Sequence, residues 1–181
     1  MGRKKTIDRD KVLDAAEAII ASRGGSGLTM DAVAQAAGIT KGGVQSCFGT
    51  KEALIEAMLM RWGAMYQHDF DRHMIDALGP EQALNAHIAA TADADDASNA
   101  KAAALIAGLL QSPDHLKWVQ GWYVDRFQLI ARQEGPAGVA ARTAFFATEG
   151  LFFLKYFGLM QIGPEDWKKY FAELGEVLNQ R

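Results

Sequence analysis

The sequence has little of what disulfide-linked and membrane proteins need. It contains a single cysteine, Cys47, so no internal disulfide framework is possible, and this fits a reducing compartment. No apolar run approaches the roughly 18 residues that cross a bilayer. The basic N-terminus leads into a charged amphipathic stretch, which is not typical of a secretory signal. We therefore expect a cytoplasmic protein that does not bind membranes.

Signatures of catalysis and metal binding are also scarce. The four histidines show neither an H-x-x-x-H pair nor a cysteine companion. His68 and His73 are five positions apart, which matches one helical face poorly. No nucleophile–base pair and no phosphate-cradling glycine loop is visible. The sequence predicts no metal site and no cofactor, and it does not indicate an enzyme.

Strand patterns are nearly absent, whereas apolar residues recur at three- and four-residue spacing over most of the chain. This predicts an all-α fold of about nine helices, with a three-helix head over residues 1–51 and a larger body over residues 52–181. A long fourth helix is predicted from Thr50 to about Leu78. The later helices are predicted over about 80–92, 98–111, 114–134, 136–159 and 164–179.

Charge is distributed unevenly along the chain. The formal net charge is -3, yet residues 1–51 carry eight basic and five acidic residues and are therefore net positive. The remainder is net negative. Such asymmetry is a weak indication that the positive part faces nucleic acid.

The segment over residues 29–54 reads TMDAVAQAAGITKGGVQSCFGTKEAL and predicts two short helices joined by a tight turn. Gly38 suits the left-handed backbone that lets the second helix cross the first steeply. The outer face of the second helix carries hydrogen-bonding groups, which a recognition helix needs to read base edges. The small core between the helices is predicted from Val33, Ile39, Val44 and Phe48.

This segment resembles the head of TetR/AcrR-family transcriptional regulators. The match covers roughly residues 8–58 and includes Phe48 and the Thr50-Lys51-Glu52 cap in register. It departs from the family pattern at Gln45, where a tyrosine is usual, and at Cys47, where a histidine is usual. The resemblance implies a helix-turn-helix, ligand-responsive regulator, most often a repressor, that binds a palindromic operator as a dimer. A small lipophilic or cationic effector would release it, and an efflux gene is one target that the resemblance suggests.

The resemblance also implies a set of DNA-binding residues. Hydroxyls and cations at helix starts would meet phosphates, and small residues would allow close approach to the groove. Gln45 would either donate to phosphate or read adenine. Simple capping, a solvated face and a tolerated weak helix would explain the same residue types. The predicted residues are Thr29, Thr40, Lys41, Gly42, Gly43, Gln45, Ser46 and Lys51, with Arg3, Lys4 and Lys5 as a flexible arm.

Aromatic residues cluster where the resemblance places an effector pocket, although ordinary core packing would explain them too. Glu149 lies in an apolar run, so it must be paired, solvated or neutral. It could receive a cationic ligand or hydrogen-bond across a dimer. The predicted effector-binding residues are Trp62, Met65, Tyr66, Phe70, Trp118, Trp122, Tyr123, Phe127, Glu149 and Phe152.

The family forms homodimers through its last two helices, which correspond here to about 136–159 and 164–179. The first of these is apolar on more than one side, which suits one face on its own core and another on a partner. A different class of protein is a helical adaptor with a degenerate head that no longer binds DNA, and only Gln45 and Cys47 favour it. Cys47 would be either a redox switch or a small apolar substitute for histidine.

Overall fold

The computed structural model describes residues 7–74, 79–109 and 113–179. Within these ranges the chain forms nine α-helices, one short 3-10 turn and no strand, which confirms the predicted all-α fold. The helices are α1 (Arg9–Arg23), α2 (Met30–Ala37), α3 (Lys41–Phe48), α4 (Lys51–His73), α5 (Pro80–Asp93), α6 (Asp96–Leu109), α7 (Pro113–Ala131), α8 (Gly135–Tyr156) and α9 (Pro164–Asn179), and the 3-10 turn is Gly25–Gly27.

The helices pack as two units. The first holds Met1–Trp62 with Ala104–Lys117, and the second holds Gly63–Ala103 with Trp118–Arg181. Three helices, α4, α6 and α7, therefore contribute residues to both units. The predicted limit of the DNA-binding head after Lys51 concerns function and stays a prediction.

The first unit has a dense apolar core around the two short helices α2 and α3. Val33, Val44, Leu54 and Met58 are completely buried, and Phe48 is 7% exposed. Burying side chains of this size contributes roughly 1.5–3 kcal/mol each. Of the four predicted core residues only Ile39 is half-buried.

In the second unit a core of buried aliphatic and aromatic residues joins α5, α7, α8 and α9. Ile130, Phe145 and Phe171 are buried there. Trp167 is buried with them, and its indole Nε1 donates to the Ala92 carbonyl at 3.0 Å. Among the described residues α8 is the one helix long and apolar enough to cross a membrane, but a core helix meets the same criterion, so this is weak evidence.

Several helix ends differ from the prediction. The fourth helix ends at His73 rather than near Leu78, and residues 75–78 lie outside the described residues. The sixth helix begins at Asp96 because the side chain of Asp95 accepts from the Ser98 backbone N–H at 2.9 Å. The eighth ends at Tyr156, three residues early, because Gly158 adopts a positive φ of 70° that terminates a helix.

Candidate functional site

Three threonines begin successive helices of the first unit. The Oγ1 atoms of Thr29, Thr40 and Thr50 each accept from the backbone N–H three residues later, at 3.1 Å. All three residues are exposed, so each hydroxyl hydrogen remains available as a donor. A helix N-terminus also carries partial positive charge, so the starts of α2 and α3 offer favourable positions for phosphate.

The outer face of α3 is available for contact with bases. Gly38 ends α2 with φ 66° and ψ 32°, and this left-handed residue turns the chain directly into α3. On α3, Val44 and Phe48 face the core. Four predicted DNA-binding residues are exposed together, namely Lys41, Gly42, Gln45 and Ser46. Their contact with DNA stays a prediction.

The two glycines of α3 lie in different surroundings. A Cβ atom on Gly43 would lie 3.0 Å from Ile7 Cδ1 and 3.4 Å from Ile39 Cδ1, so this glycine is explained by packing inside the head. A Cβ on Gly42 would meet only the Thr40 Oγ1, 4.0 Å away. Gly42 is therefore the better candidate for close approach to a groove.

The predicted cations differ in their availability. Lys41 Nζ lies 2.8 Å from Asp31 Oδ2, and both side chains are more than half exposed. Lys51 is half-buried, and the arm formed by Arg3, Lys4 and Lys5 lies outside the described residues.

A further cation lies beside the recognition helix. The guanidinium of Arg9 lies 4.3 Å from the Phe48 ring centroid, and its Nη1 donates to the Cys47 carbonyl. Arg9 therefore fixes the C-terminal end of α3. Cys47 itself is half-buried, and the redox role of its thiol stays a prediction.

In the second unit a cluster of buried polar side chains surrounds Glu149. The Tyr123 hydroxyl donates to Glu149 Oε2 at 2.6 Å, and His87 Nε2 lies 2.9 Å from Glu149 Oε1. The other ring nitrogen, Nδ1, is hydrogen-bonded to the Tyr66 hydroxyl. Burial raises the pKa of Tyr123, and the charge of Glu149 raises it further, so Tyr123 remains a donor. Oε2 of Glu149 thus accepts a hydrogen bond, whereas Oε1 lies close to His87 Nε2, which makes no hydrogen bond to a described residue.

Five of the predicted effector residues lie among packed aromatic rings of the second unit. The rings of Tyr66 and Trp122 pack edge-on with centroids 4.9 Å apart, and Tyr123 adjoins Trp122 at 5.0 Å. Phe70 lies near Tyr66, whereas Phe127 packs on Phe145.

The remaining four predicted residues are Trp62, Met65, Trp118 and Phe152. Trp62 belongs to the first unit, and Met65 is 52% exposed. Trp118 lies so close to Gly63 that a Cβ there would approach its ring to 3.0 Å. Phe152 makes its ring contacts with neighbours on α8, Phe153 and Tyr156.

A small cleft opens beside the polar side chains around Glu149. Its lining is apolar except for His87 and Arg126, and Phe70 is the one predicted effector residue that lines it. The other lining residues are Ala83, Leu84, Leu129, Ile130 and Phe145. Except for Phe70, the predicted aromatic residues therefore pack near the cleft but do not line it.

Two family descriptions match the chain. "Bacterial regulatory proteins, tetR family" covers residues 12–58, which contain the helix-turn-helix. "Tetracyclin repressor-like, C-terminal domain" covers residues 81–179, more than half of the chain. The chain belongs to the TetR family. It is thus a TetR-family transcriptional regulator, as the sequence predicts.

Individual relatives and solved structures resemble the chain more distantly. It is 32% identical over 98 residues to the HTH-type transcriptional regulator SrpR of Pseudomonas putida, a match that covers 52% of this chain and 44% of SrpR. A transcriptional regulator of Rhodococcus sp. RHA1 superposes with a TM-score of 0.70 at 18% identity, covering 95% of this chain and 96% of that one. The fatty acid degradation regulator FadR of Bacillus halodurans gives 0.65 at 17% identity, covering 96% and 98%. The two solved structures show a shared fold.

Sequence reasoning missed three residues that organise this TetR-family chain. Arg61 on α4 holds α1 through Asp14 at 2.9 Å and Glu17 at 2.6 Å. Burial opposes its charge, but hydrogen bonds and charges from both acids outweigh burial and raise the pKa of Arg61. The other two are His87 and Arg126, which lie together at the cleft of the second unit. A charged residue between apolar positions of a helix is the signal that could have identified both arginines.

Proposed function

We propose that this TetR-family protein is a repressor that binds a palindromic operator as a homodimer. A small lipophilic molecule bound in its body would release it from DNA. The observation that carries this proposal is the exposed outer face of α3, held between threonine-capped helix starts. A face of exposed donors and acceptors on a short helix is what major-groove reading requires.

Dimerisation is supported by apolar side chains that remain exposed on the last two helices. On α8, Val139 is 58% and Phe146 is 60% exposed, and on α9 Val177 is 40% exposed. Exposed apolar side chains of this kind mark interaction surfaces when they share one face. We therefore place the homodimer contacts in about 136–159 and 164–179, as the resemblance implies.

A lipophilic effector is implied by the family resemblance, and the cleft has an apolar lining whose volume of about 10 Å³ would have to widen to admit it. The cationic alternative rests on Glu149, and it loses support because Tyr123 donates to one carboxylate oxygen and His87 Nε2 lies 2.9 Å from the other. Control of an efflux gene rests on the family resemblance alone. The proposed site of action is the cytoplasm, where the operator lies.

Selection of DNA from a random pool with the purified full chain tests the proposal. We expect a palindromic sequence, bound with an affinity that falls steeply as salt rises, because each phosphate contact releases counterions. Enrichment of no sequence would contradict the proposal and favour the adaptor hypothesis.

Substitution of Gln45 refines the same experiment. Gln45→Ala should change base preference if the amide reads adenine, whereas a phosphate contact would weaken all sequences alike. Gln128→Ala, at an exposed position of α7, is the matched control and should change neither the base preference nor the overall DNA affinity.

A further inference from the structure

A groove of about 660 Å³ runs along α5 and α9 in the second unit. Its volume lies within the roughly 300–1,000 Å³ that is usual for small-molecule sites. The cleft beside His87 and Arg126 measures about 10 Å³ and has room for one water molecule. A small organic molecule can therefore enter the groove as it stands, whereas the cleft would have to widen.

Both walls of the groove are apolar stripes on helices. The lining residues recur at three- and four-residue spacing on α5 and again on α9, which places each set on one helical face. Small side chains keep the space open, and a Cβ atom on Gly175 would meet nothing within 4 Å. The apolar lining residues include Ile88, Ala89, Ala92, Trp167, Phe171 and Ala172.

The groove also contains an ion pair that is already complete. Asp96 Oδ1 accepts from Lys155 Nζ and from the Tyr156 hydroxyl, each at 2.7 Å. The Lys155 ammonium lies 4.5 Å from the Trp167 ring centroid, and the Lys155 side chain is 14% exposed. The charge of Lys155 is therefore balanced within the protein and does not require an anionic ligand.

The other two charges of the lining cancel. They are those of Asp93 and Lys168, and both residues are exposed to water. With the Lys155–Asp96 pair included, the formal charge of the lining is zero. A ligand charge buried against apolar walls costs free energy unless a counter-charge compensates it, and solvated surface charges compensate little. The lining therefore favours an uncharged ligand over a cation or an anion.

The groove faces away from the proposed dimer contacts. Because an α-helix has 3.6 residues per turn, residues nine positions apart lie on opposite sides of it. Lys155 and Phe146 are separated in this way on α8, as are Lys168 and Val177 on α9. Phe146 and Val177 are exposed apolar residues that support the homodimer, so a second copy bound through them leaves the groove open.

We propose that the effector is an uncharged lipophilic molecule that binds in the groove between α5 and α9. This inference rests on the proposed effector function and names both the site and the chemical class of the ligand.

The site is tested with N-phenyl-1-naphthylamine, an uncharged probe whose fluorescence rises when it leaves water. It is titrated into the full chain without DNA, and we expect saturable binding. Gly175→Leu should weaken this binding about tenfold or more, because the new side chain occupies the groove without meeting another group. Gly121→Leu, on α7 and equally free of contacts, is the matched control and should leave the affinity unchanged.

Both substitutions raise helix propensity, so we expect both variants to fold. Ala172→Leu fills the same wall of the groove from an exposed position and serves as a second variant if Gly175→Leu does not fold.

The chemical class is tested by displacing the probe with three compounds that share one ring system. They are 1-naphthalenemethanol, 1-naphthoate and 1-naphthylmethylammonium. We expect the alcohol to displace the probe at about one-tenth of the concentration that either ion requires, because the ions must lose hydration without gaining a buried counter-charge.

Three results would overturn the inference: no binding of the uncharged probe, displacement by an ion at least as effective as by the alcohol, or unchanged probe affinity in the folded groove variant. Release of the selected DNA is measured separately by fluorescence anisotropy. If the groove binds the probes as expected and the DNA stays bound, the site holds and the proposed effector function fails. If a lipophile releases DNA equally from the unmodified chain and from Gly175→Leu, the effector function holds and the groove is not its site.

Discussion

Among single residues, the Lys41–Asp31 ion pair places an acid beside a predicted phosphate contact. The pair spans 2.8 Å between exposed side chains, and such surface pairs contribute at most about 1 kcal/mol to stability. Asp31→Asn should therefore leave the fold intact while it frees Lys41 and removes local repulsion of phosphate. We expect DNA affinity at low salt to rise several-fold, measured by fluorescence anisotropy.

The same pair predicts the opposite result for the lysine. Lys41→Gln should weaken DNA binding and reduce the slope of log affinity against log salt by about 0.9, the value for one phosphate contact. Asp125→Asn makes the same charge change as Asp31→Asn at an exposed position of α7, outside the proposed dimer contacts, and serves as control. Equal affinities for the two asparagine variants would show that Asp31 does not oppose DNA binding.

A second residue-scale prediction concerns Asp96, which lies 2.7 Å from both Lys155 Nζ and the Tyr156 hydroxyl. These hydrogen bonds, that from Lys155 first, lower the pKa of Asp96 below its ordinary 3.8. Its ionised form therefore stabilises the fold above that value, and this contribution is lost as pH falls through the lowered pKa. Asp96→Asn should show a smaller loss of unfolding free energy than the unmodified chain between about pH 5 and pH 2.

Urea unfolding at several pH values measures this effect, which salt should reduce because the Asp96 side chain is 71% exposed. Asp125→Asn, at an exposed position of α7, should retain the acid sensitivity of the unmodified chain. Identical pH profiles for Asp96→Asn and the unmodified chain would contradict the prediction.

The residues that sequence analysis placed correctly follow local rules. A threonine before an apolar-periodic run is an N-cap whatever the rest of the chain does, and Thr29 and Thr40 both cap helices. The contacts that His87 and Tyr123 make with Glu149 could not be predicted this way, because these residues are distant in sequence and meet only through packing of helices. Their residue types contain no information about that pairing.

Between elements, the 3-10 turn lies close against α6 in the first unit. A Cβ on Gly25 would lie 2.4 Å from the Gly108 carbonyl oxygen, and backbone cannot yield as a flexible side chain can. Gly25→Ala should therefore lower the free energy of unfolding by about 1–3 kcal/mol, the usual cost of overpacking. Chemical denaturation measures the loss.

The control for this substitution is Gly121 in the interior of α7. A Cβ there meets nothing within 4 Å, so Gly121→Ala should raise stability by about 0.5–1 kcal/mol through helix propensity alone. If Gly25→Ala were as stable as Gly121→Ala, the two backbones would not be in close contact.

Helix limits show where prediction from sequence stops at the scale of elements. Pro80 and Pro164 begin helices as predicted, because proline suits a first turn by its fixed φ. The predicted end of α4 lies about five residues beyond the observed end at His73, because periodicity alone carries no stop signal there. Periodicity indicates that a helix exists better than it indicates where the helix ends.

For the whole molecule, the all-α class and the helix-turn-helix could be predicted because each depends on periodicity and one compact motif. The cleft could not, since its residues come from α4, α5, α7 and α8. Of the ten predicted effector residues, Phe70 lines this cleft, and the effector role of the other nine stays a prediction. Aromatic content indicates buried area, but not which part of that area faces a cavity.

The last prediction concerns the proposed homodimer interface. Phe146 on α8 packs on Phe127 but is still 60% exposed, so most of its surface is free to contact a second protomer. Phe146→Glu would bury a charge in the proposed interface and should weaken the dimer about thirtyfold or more, as loss of a central aromatic contact does. Operator affinity should fall with it while the monomer stays folded. Val124→Glu, equally exposed on α7, should leave the dimer intact. Sedimentation equilibrium compares the two, and equal dimer affinities would place the interface elsewhere.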